Sequence, residues 1–178
     1  MPGEALALRF RSFVGKTNSL DFPSPYWHPF DMVAPCTITG DSIAVGLYPH
    51  LPCHMAYSKI GATTKTITQN AGPALGTMII SAGSNDWRPS ESSFEALRQK
   101  YEGRPVIWVL PGPKFQEARE MIMTVAKKWG DTVLHLQGVG KDGVHPSGKG
   151  YKDSAMILRT APSYDDSKVT FVPTKQNG

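Results

Sequence analysis

A serine, an aspartate and a histidine with the spacing of a hydrolytic site occur in this chain. Ser42 closes a Gly-Asp-Ser motif, and Asp142 and His145 lie three residues apart in an Asp-Gly-Val-His motif. A hydroxyl becomes a good nucleophile when a base removes its proton, and a carboxylate holds that base in the correct tautomer. The residues therefore predict that Ser42 attacks, His145 takes its proton and Asp142 orients His145.

Three groups are candidates for stabilising an oxyanion, the negative charge that develops during acyl transfer. They are the backbone N–H of Ser42, the backbone N–H of Gly61 and the side-chain amide of Asn85. Each follows a predicted strand, at the edge where open α/β sheets bind ligands. Well-placed donors at such a position stabilise the transition state strongly.

The elements that must position these residues follow from the hydrophobic pattern. From Met32 onward, short apolar runs alternate with helical periodicity, which predicts a parallel sheet covered by helices. The predicted strands are Cys36–Thr39, His54–Ser58, Leu75–Ser81, Pro105–Leu110 and Thr132–Leu136. The predicted helices are Ile43–Leu47, one beginning near Ser90, Lys114–Trp129 with Gly130 as its stop, and Ser147–Arg159. The fold class is therefore α/β, with a five-stranded parallel sheet.

The two ends of the chain differ from its middle. Residues 1–32 combine aromatic side chains with prolines and lack periodicity, which predicts an irregular arm packed on the core or on a partner chain. Residues 33–160 form the predicted domain. The polar tail, residues 161–178, either adds an edge strand or stays mobile. An oligomer would form through the arm.

Four short segments resemble the marker blocks of the SGNH hydrolases, the GDSL esterase and lipase family. The family's marker serine, glycine, asparagine and histidine correspond to Ser42, Gly61, Asn85 and His145, and the similarity covers about residues 33–158. The resemblance implies a flavodoxin-like three-layer α/β/α sandwich, ester hydrolysis through an acyl-enzyme, and no metal or organic cofactor. The chain departs from the family in having Ile43 after the serine, and its first 32 residues have no counterpart there.

Residues beside these motifs are weaker candidates for substrate binding. They are Asp41, Asp86, Trp87 and Arg88. Trp87 can stack on a sugar and Arg88 can hold a carboxylate or phosphate. The alternative is a surface loop whose tryptophan packs locally. With little room for a lid, the sequence favours short acyl groups, such as acetyl on a polysaccharide or cell-envelope glycan.

Two other functions remain open from the sequence. One is a structural or glycan-binding module that keeps the fold with weak or no catalysis, in a virion or cell-surface assembly. The other is thioesterase or protease action on small metabolites through the same site. The first is suggested by the aromatic arm and the polar tail.

Composition restricts the partners and the location. A net charge of +4 without a basic run argues against nucleic acid. No apolar stretch is long enough to span a bilayer, and the first residues do not form a secretory signal. The sequence therefore predicts a protein that stays in the cytoplasm, or one that leaves by lysis, in a particle or after processing.

Three further motifs have simpler interpretations. Cys36 and Cys53 precede neighbouring strands and form either a disulfide or two buried thiols. Prolines around His50, Cys53 and His54 argue against a metal site. The glycines between residues 138 and 150 partly match dinucleotide and P-loop motifs, but the sequence following them does not fit either.

Overall fold

Within the described residues, six parallel strands form one sheet. The computed structural model describes residues 35–160 and 170–172. The strands are β1 Cys36–Gly40, β2 Cys53–Ser58, β3 Thr77–Ser81, β4 Val106–Val109, β5 Thr132–Leu134 and β6 Thr170–Val172. Their order across the sheet is β2-β1-β3-β4-β5-β6, and each neighbouring pair is parallel. The five predicted strands are all present, and the predicted α/β class is confirmed.

Helices cover both faces of this sheet. They are α1 Ser42–Leu47, α2 Thr64–Gln69, α3 Glu91–Gln99, α4 Gln116–Trp129 and α5 Gly148–Thr160, with a 3-10 turn at Tyr48–His50. Successive residues of a strand point to opposite faces. In β3, Ile79 accordingly joins the core beneath α1 and α5, whereas Met78 and Ile80 join the core beneath α2, α3 and α4. The result is the expected three-layer α/β/α sandwich.

The longest helix shows how the sequence forms these layers. In α4, Ala118, Ile122, Val125 and Ala126 recur at helical spacing and are buried. Burying a large apolar side chain of this kind contributes about 2 kcal/mol. The helix ends at Gly130, whose φ of 70° lies in the left-handed region that glycine adopts most readily.

Two elements differ from the sequence prediction. Helix α2 was not predicted because its sequence, Thr-Lys-Thr-Ile-Thr-Gln, is short, rich in β-branched residues and without a long apolar stripe. Strand β6 adds a sixth strand next to β5, which selects the edge-strand alternative for that part of the tail. The predicted arm and the rest of the tail lie outside the described residues.

Cys36 and Cys53 form a disulfide. They are the first residues of β1 and β2 and are directly paired in the parallel register, with their Cα atoms 4.6 Å apart. Both side chains are buried in the core beneath α1 and α5. The structure therefore selects the disulfide from the two alternatives that the sequence left open.

Removing this disulfide should destabilise the domain. The two cysteines are 17 residues apart, and a cross-link over a loop of that size restricts the unfolded chain enough to contribute about 3 kcal/mol. Urea unfolding of the double variant Cys36→Ala/Cys53→Ala should show that loss. Reductant should lower the unfolding midpoint of the unmodified protein and leave that of the double variant unchanged. Equal stability of the oxidised protein and the double variant would contradict this prediction.

Membrane insertion through a helix has no support in the described part of the chain. None of the helices there combines the length and apolar character needed to cross a bilayer. The longest, α4, has 14 residues and carries charged side chains in its first and last turns.

Candidate active site

The predicted site residues all lie on loops or helix starts at the carboxyl edge of the sheet. Ser42 begins α1 directly after β1, Gly61 follows β2, and Asn85 follows β3. Asp142 and His145 lie between β5 and α5. Because β2, β1 and β3 are adjacent in the sheet, their loops meet at one place.

Ser42, His145 and Asp142 form a continuous hydrogen-bonded chain. The Ser42 Oγ lies 2.9 Å from His145 Nε2, although the two residues are 103 positions apart in the sequence. His145 Nδ1 lies 2.8 Å from Asp142 Oδ2. With a proton on Nδ1, the histidine donates to the carboxylate and its Nε2 accepts from the serine hydroxyl. This is the geometry that general-base activation of a serine requires.

The environment of Asp142 keeps it ionised. The backbone N–H of Val144 donates to Oδ1 at 2.9 Å and that of His145 at 3.0 Å, while the His145 ring bonds the other carboxylate oxygen. These hydrogen bonds, that from Val144 first, lower the pKa of Asp142 from 3.8 to about 2. A carboxylate that is charged at neutral pH can both orient the imidazole and stabilise its protonated form.

A short hairpin holds Asp142 and His145. Gly140 N–H donates to the His145 carbonyl at 2.8 Å, Ser147 N–H donates to the Gly138 carbonyl at 2.9 Å, and Val139 pairs antiparallel with Pro146. A dinucleotide motif would continue into a helix at this point. The glycines from 138 to 143 instead build the hairpin that brings both side chains to Ser42.

The loop after β4 supports this hairpin from outside. Lys114 Nζ donates to the Asp142 carbonyl at 2.9 Å. A Cβ atom added at Gly112 would collide with the Gly143 carbonyl, so glycine is required for this close approach. Lys114 therefore contacts the hairpin that carries Asp142 and His145.

Contacts with Ser81 of β3 hold the turn that presents Ser42. Gly40 has a φ of 147°, and a Cβ atom there would overlap the Ser81 carbonyl. Asp41 caps α1 by accepting from Ile43 N–H at 3.0 Å, and its Oδ1 also accepts from Ser81 Oγ at 3.0 Å. These contacts join the end of β1 to the end of β3.

Asp41 is therefore a supporting residue and not a wall of the substrate site. Its side chain is fully buried. Burial raises the pKa of Asp41 above 3.8, although hydrogen bonds from Ile43 and Ser81 act in the opposite direction. The weak prediction that Asp41 binds substrate is incorrect, because a buried carboxylate beneath the turn cannot reach a ligand.

The candidate oxyanion donors are available for a ligand. Among the described residues, no hydrogen bond engages the backbone N–H of Ser42 or of Gly61. Asn85 Nδ2 donates one hydrogen to the Ala62 carbonyl at 3.1 Å, which leaves its second amide hydrogen for a further acceptor. The bond to Ala62 also connects the loop of Asn85 to the loop of Gly61.

Of the three residues after Asn85, one has a structural role and two are exposed. Both carboxylate oxygens of Asp86 are bonded to Thr64, to its N–H at 2.9 Å and its hydroxyl at 2.5 Å, and this carboxylate holds the start of α2. Trp87 is 92% exposed, and Arg88 is exposed beside it. The alternative of a surface loop whose tryptophan packs locally does not fit this exposure.

Within the described ranges, His50, Cys53 and His54 do not form a cluster suited to a metal. No group of three or more histidine, cysteine, aspartate or glutamate side chains suited to a metal occurs among the described residues. Cys53 is consumed in the disulfide. His135, predicted inside a strand, lies just after β5 and its Nδ1 contacts Arg119 at 2.9 Å.

Two contributors to the site were missed by sequence reasoning. Ser81, the last residue of β3, bonds Asp41, and Tyr151 of α5 packs so closely on Gly46 of α1 that any side chain there would collide with its ring. Gly46 lies inside α1. Its contact is with another helix, and no local pattern could have shown which one.

The sequence comparisons give no information on the function of this protein. A scan of the chain against protein-family models finds no match, and a search of curated proteins finds none.

Proposed function

We propose that this protein is a serine hydrolase that cleaves carboxylic esters. The observation that carries the proposal is the chain of contacts from Ser42 Oγ to His145 Nε2 at 2.9 Å and from His145 Nδ1 to Asp142 at 2.8 Å. Three residue types that suit general-base activation meet in hydrogen-bond geometry at the ligand-binding edge of an α/β sheet.

The reaction follows from these contacts. As Ser42 Oγ attacks the ester carbonyl, its proton passes to His145 Nε2, and the carbonyl oxygen becomes an oxyanion. When the C–O bond breaks, the same proton is delivered to the leaving alcohol, and the acyl group stays on Ser42. Water then attacks the acyl-enzyme with His145 again acting as base, which releases the acid and regenerates the serine.

The oxyanion would be held by the N–H groups of Ser42 and Gly61 and by the Asn85 amide. Each is on a loop that hydrogen bonds tie to its neighbour, so the donors are preorganised and do not have to move during the reaction. Preorganised donors at a developing charge account for a large part of catalysis in this reaction class.

A fluorophosphonate probe tests the proposal directly. Such a probe forms a bond only with an activated serine, so mass mapping should place the label on Ser42 and on no other serine. Labelling should disappear in His145→Ala, which keeps the nucleophile and removes its base. Absence of labelling in the folded, unmodified protein would argue against the hydrolase.

The Asn85 amide should contribute measurably. Replacing Asn85 by Ala removes one oxyanion donor, and the expected loss in kcat is about 10²- to 10³-fold with little change in KM. The steady-state rate on p-nitrophenyl acetate measures it. Asn70→Ala, which truncates an exposed asparagine at the end of α2, is the matched control and should retain full activity. A loss confined to KM would mean that Asn85 binds the ground state and is not an oxyanion donor.

The openness of the site favours small acyl groups. The side chains of His145 and Asp142 are 47% and 50% exposed, so the described residues do not enclose the triad in a deep acyl tunnel. We therefore favour short acyl esters, such as acetyl groups on a carbohydrate or cell-envelope glycan. A series of p-nitrophenyl esters from acetate to palmitate should give the highest kcat/KM at the short end.

A glycan-binding module with weak or no catalysis is the second candidate. The exposed indole of Trp87 beside the site favours it, because such a surface suits stacking on a sugar. Binding of a glycan by a protein that the fluorophosphonate does not label would select this candidate.

The disulfide bears on where the protein acts. Disulfides persist in oxidising surroundings and are uncommon in the reducing cytoplasm. Of the locations that the sequence left open, the Cys36–Cys53 bond favours release from the cell or association with a particle.

A further inference from the structure

The two loops that carry oxyanion donors each expose an apolar side chain directly beside a cation. Lys59 and Ile60 immediately precede Gly61, and Trp87 and Arg88 follow Asn85. Ile60 is 73% exposed and Trp87 is 92% exposed, and both cations are exposed as well. We call these four residues, Lys59, Ile60, Trp87 and Arg88, the substrate rim.

Hydrogen bonds hold the two halves of the substrate rim together and against the nucleophile. Lys59 N–H donates to the Gly40 carbonyl at 3.0 Å, which joins its loop to the turn before Ser42. The Asn85 amide bonds the Ala62 carbonyl, and the Asp86 carboxylate bonds Thr64. The loops that carry the substrate rim therefore adjoin the turn that presents Ser42.

The cations of the substrate rim are not neutralised within the described part of the chain. The ion pairs found there involve neither Lys59 nor Arg88. Asp86, two residues before Arg88, has both oxygens bonded to Thr64. Lys114 and Lys141, on the neighbouring loops at the same sheet edge, add positive charge, and Lys114 reaches the Asp142 carbonyl.

We infer that the alcohol part of the substrate is an acidic glycan, whose sugar ring stacks on Trp87 while carboxylate or phosphate groups bind Lys59 and Arg88. This inference rests on the proposed hydrolase, since it assigns the ester substrate of that site. A flat apolar surface suits the face of a sugar ring, and unpaired guanidinium and ammonium groups suit anions. Two cations and one aromatic ring on two joined loops match a short charged saccharide, whereas nucleic acid would need a longer basic surface.

Binding measurements separate this inference from catalysis. Ser42→Ala protein, which cannot turn the ligand over, is titrated with an acetylated oligogalacturonate and with its methyl-esterified, uncharged counterpart. The acidic probe should bind about tenfold more tightly, and its advantage should shrink as salt is raised because exposed charges are screened. Equal Kd values for both probes, or an advantage that salt does not change, would overturn the inference.

Charge reversal locates the binding surface. In the Ser42→Ala background, Lys59→Glu/Arg88→Glu should weaken binding of the acidic probe by about tenfold and that of the neutral probe far less. The control variant Lys100→Glu/Lys127→Glu makes the same change in net charge far from the site. These lysines lie at the ends of α3 and α4, which return the chain to the amino edge of the sheet. This variant should leave both Kd values unchanged. Equal effects of the two double variants would overturn the assignment, since they would show that only overall charge matters.

Trp87→Ala should weaken the binding of both probes by a similar factor, because stacking does not depend on the carboxylates.

The outcomes distinguish the two proposals from each other. If fluorophosphonate labels Ser42 but the probes bind equally, the hydrolase stands and the acidic-glycan inference fails. If the label is absent but the acidic probe binds through Lys59 and Arg88, the hydrolase fails and the assignment of the rim to an acidic glycan stands. Binding to vesicles of anionic phospholipid, with no binding of either oligosaccharide, would overturn the inference in favour of a lipid surface.

Discussion

Replacing Ser42 by Ala should lower kcat for p-nitrophenyl acetate by about 10⁵-fold or more and abolish fluorophosphonate labelling. Removing the nucleophile of a Ser-His-Asp system costs as much as removing the whole triad, because the three residues act as a unit. In this protein the Ser42 hydroxyl is the group that faces His145 Nε2, at 2.9 Å. The oxyanion donors stay in place in the variant, so a small residual rate above that in water is expected.

A matched serine provides the control for this experiment. Ser92→Ala removes an exposed hydroxyl near the start of α3, which lies 3.3 Å from the hydroxyl of Ser90, and should leave both the rate and the labelling unchanged. Unfolding curves of Ser42→Ala should match those of the unmodified protein. A rate that survives the Ser42 substitution would show that another residue carries the activity.

Changing Asp142 to Asn should lower kcat by about 10⁴-fold while the fold is retained. The Asn Oδ1 can still accept from the N–H groups of Val144 and His145, so the hairpin is preserved. The amide NH₂ then faces His145 Nδ1 and donates to it, which places the ring proton on Nε2. In that tautomer His145 cannot accept the proton of Ser42.

The pH dependence of this effect follows from the lowered pKa of Asp142. A folded-state pKa of about 2 means that folding favours the ionised carboxylate. Its contribution to stability is complete above pH 3.8 and is lost as the pH falls towards 2. Asp142 therefore does not titrate near neutrality, so protonation of this carboxylate should lower the rate of the unmodified protein only in strongly acidic solution. Steady-state kinetics of both proteins at several pH values measure it.

Asp153→Asn is the matched control for the charge change. Asp153 forms an exposed i,i+4 pair with Lys149 on α5, so its substitution should alter kcat by less than about twofold. If Asp142→Asn lowered kcat by less than about tenfold, Asp142 would not be the group that orients His145.

The local sequence was sufficient for most of the α/β framework. Strands β1, β3 and β4 are buried along their whole length, as central strands of a parallel sheet with helices on both faces must be. The stripe of α4 and its stop at Gly130 were equally clear. These features depend on neighbouring residues, whose spacing is visible in one dimension.

Contacts between distant segments were beyond such reasoning. Helix α2 depends on Asp86, 22 residues from Thr64, to satisfy its first turn. A buried pair between Arg98 and Asp131, which also accepts from Trp108 at 2.9 Å, joins α3 to β4 and the residue before β5 without any local signal. The burial of Asp41 likewise depends on β3 packing beside β1.

The residue types and order of Ser42, Gly61, Asn85, Asp142 and His145 were enough to predict a hydrolytic chemistry, because each type has a defined role in acyl transfer. Their meeting in space was not contained in that pattern. It depends on adjacent parallel strands and on the hydrogen bonds of Ser81 and Lys114, which are long-range contacts, and on the placement of the local hairpin of residues 138–147 against Ser42. The exposure of Trp87 and of the cations around it is a property of the same packing, since a side chain is buried or free only in relation to what folds against it.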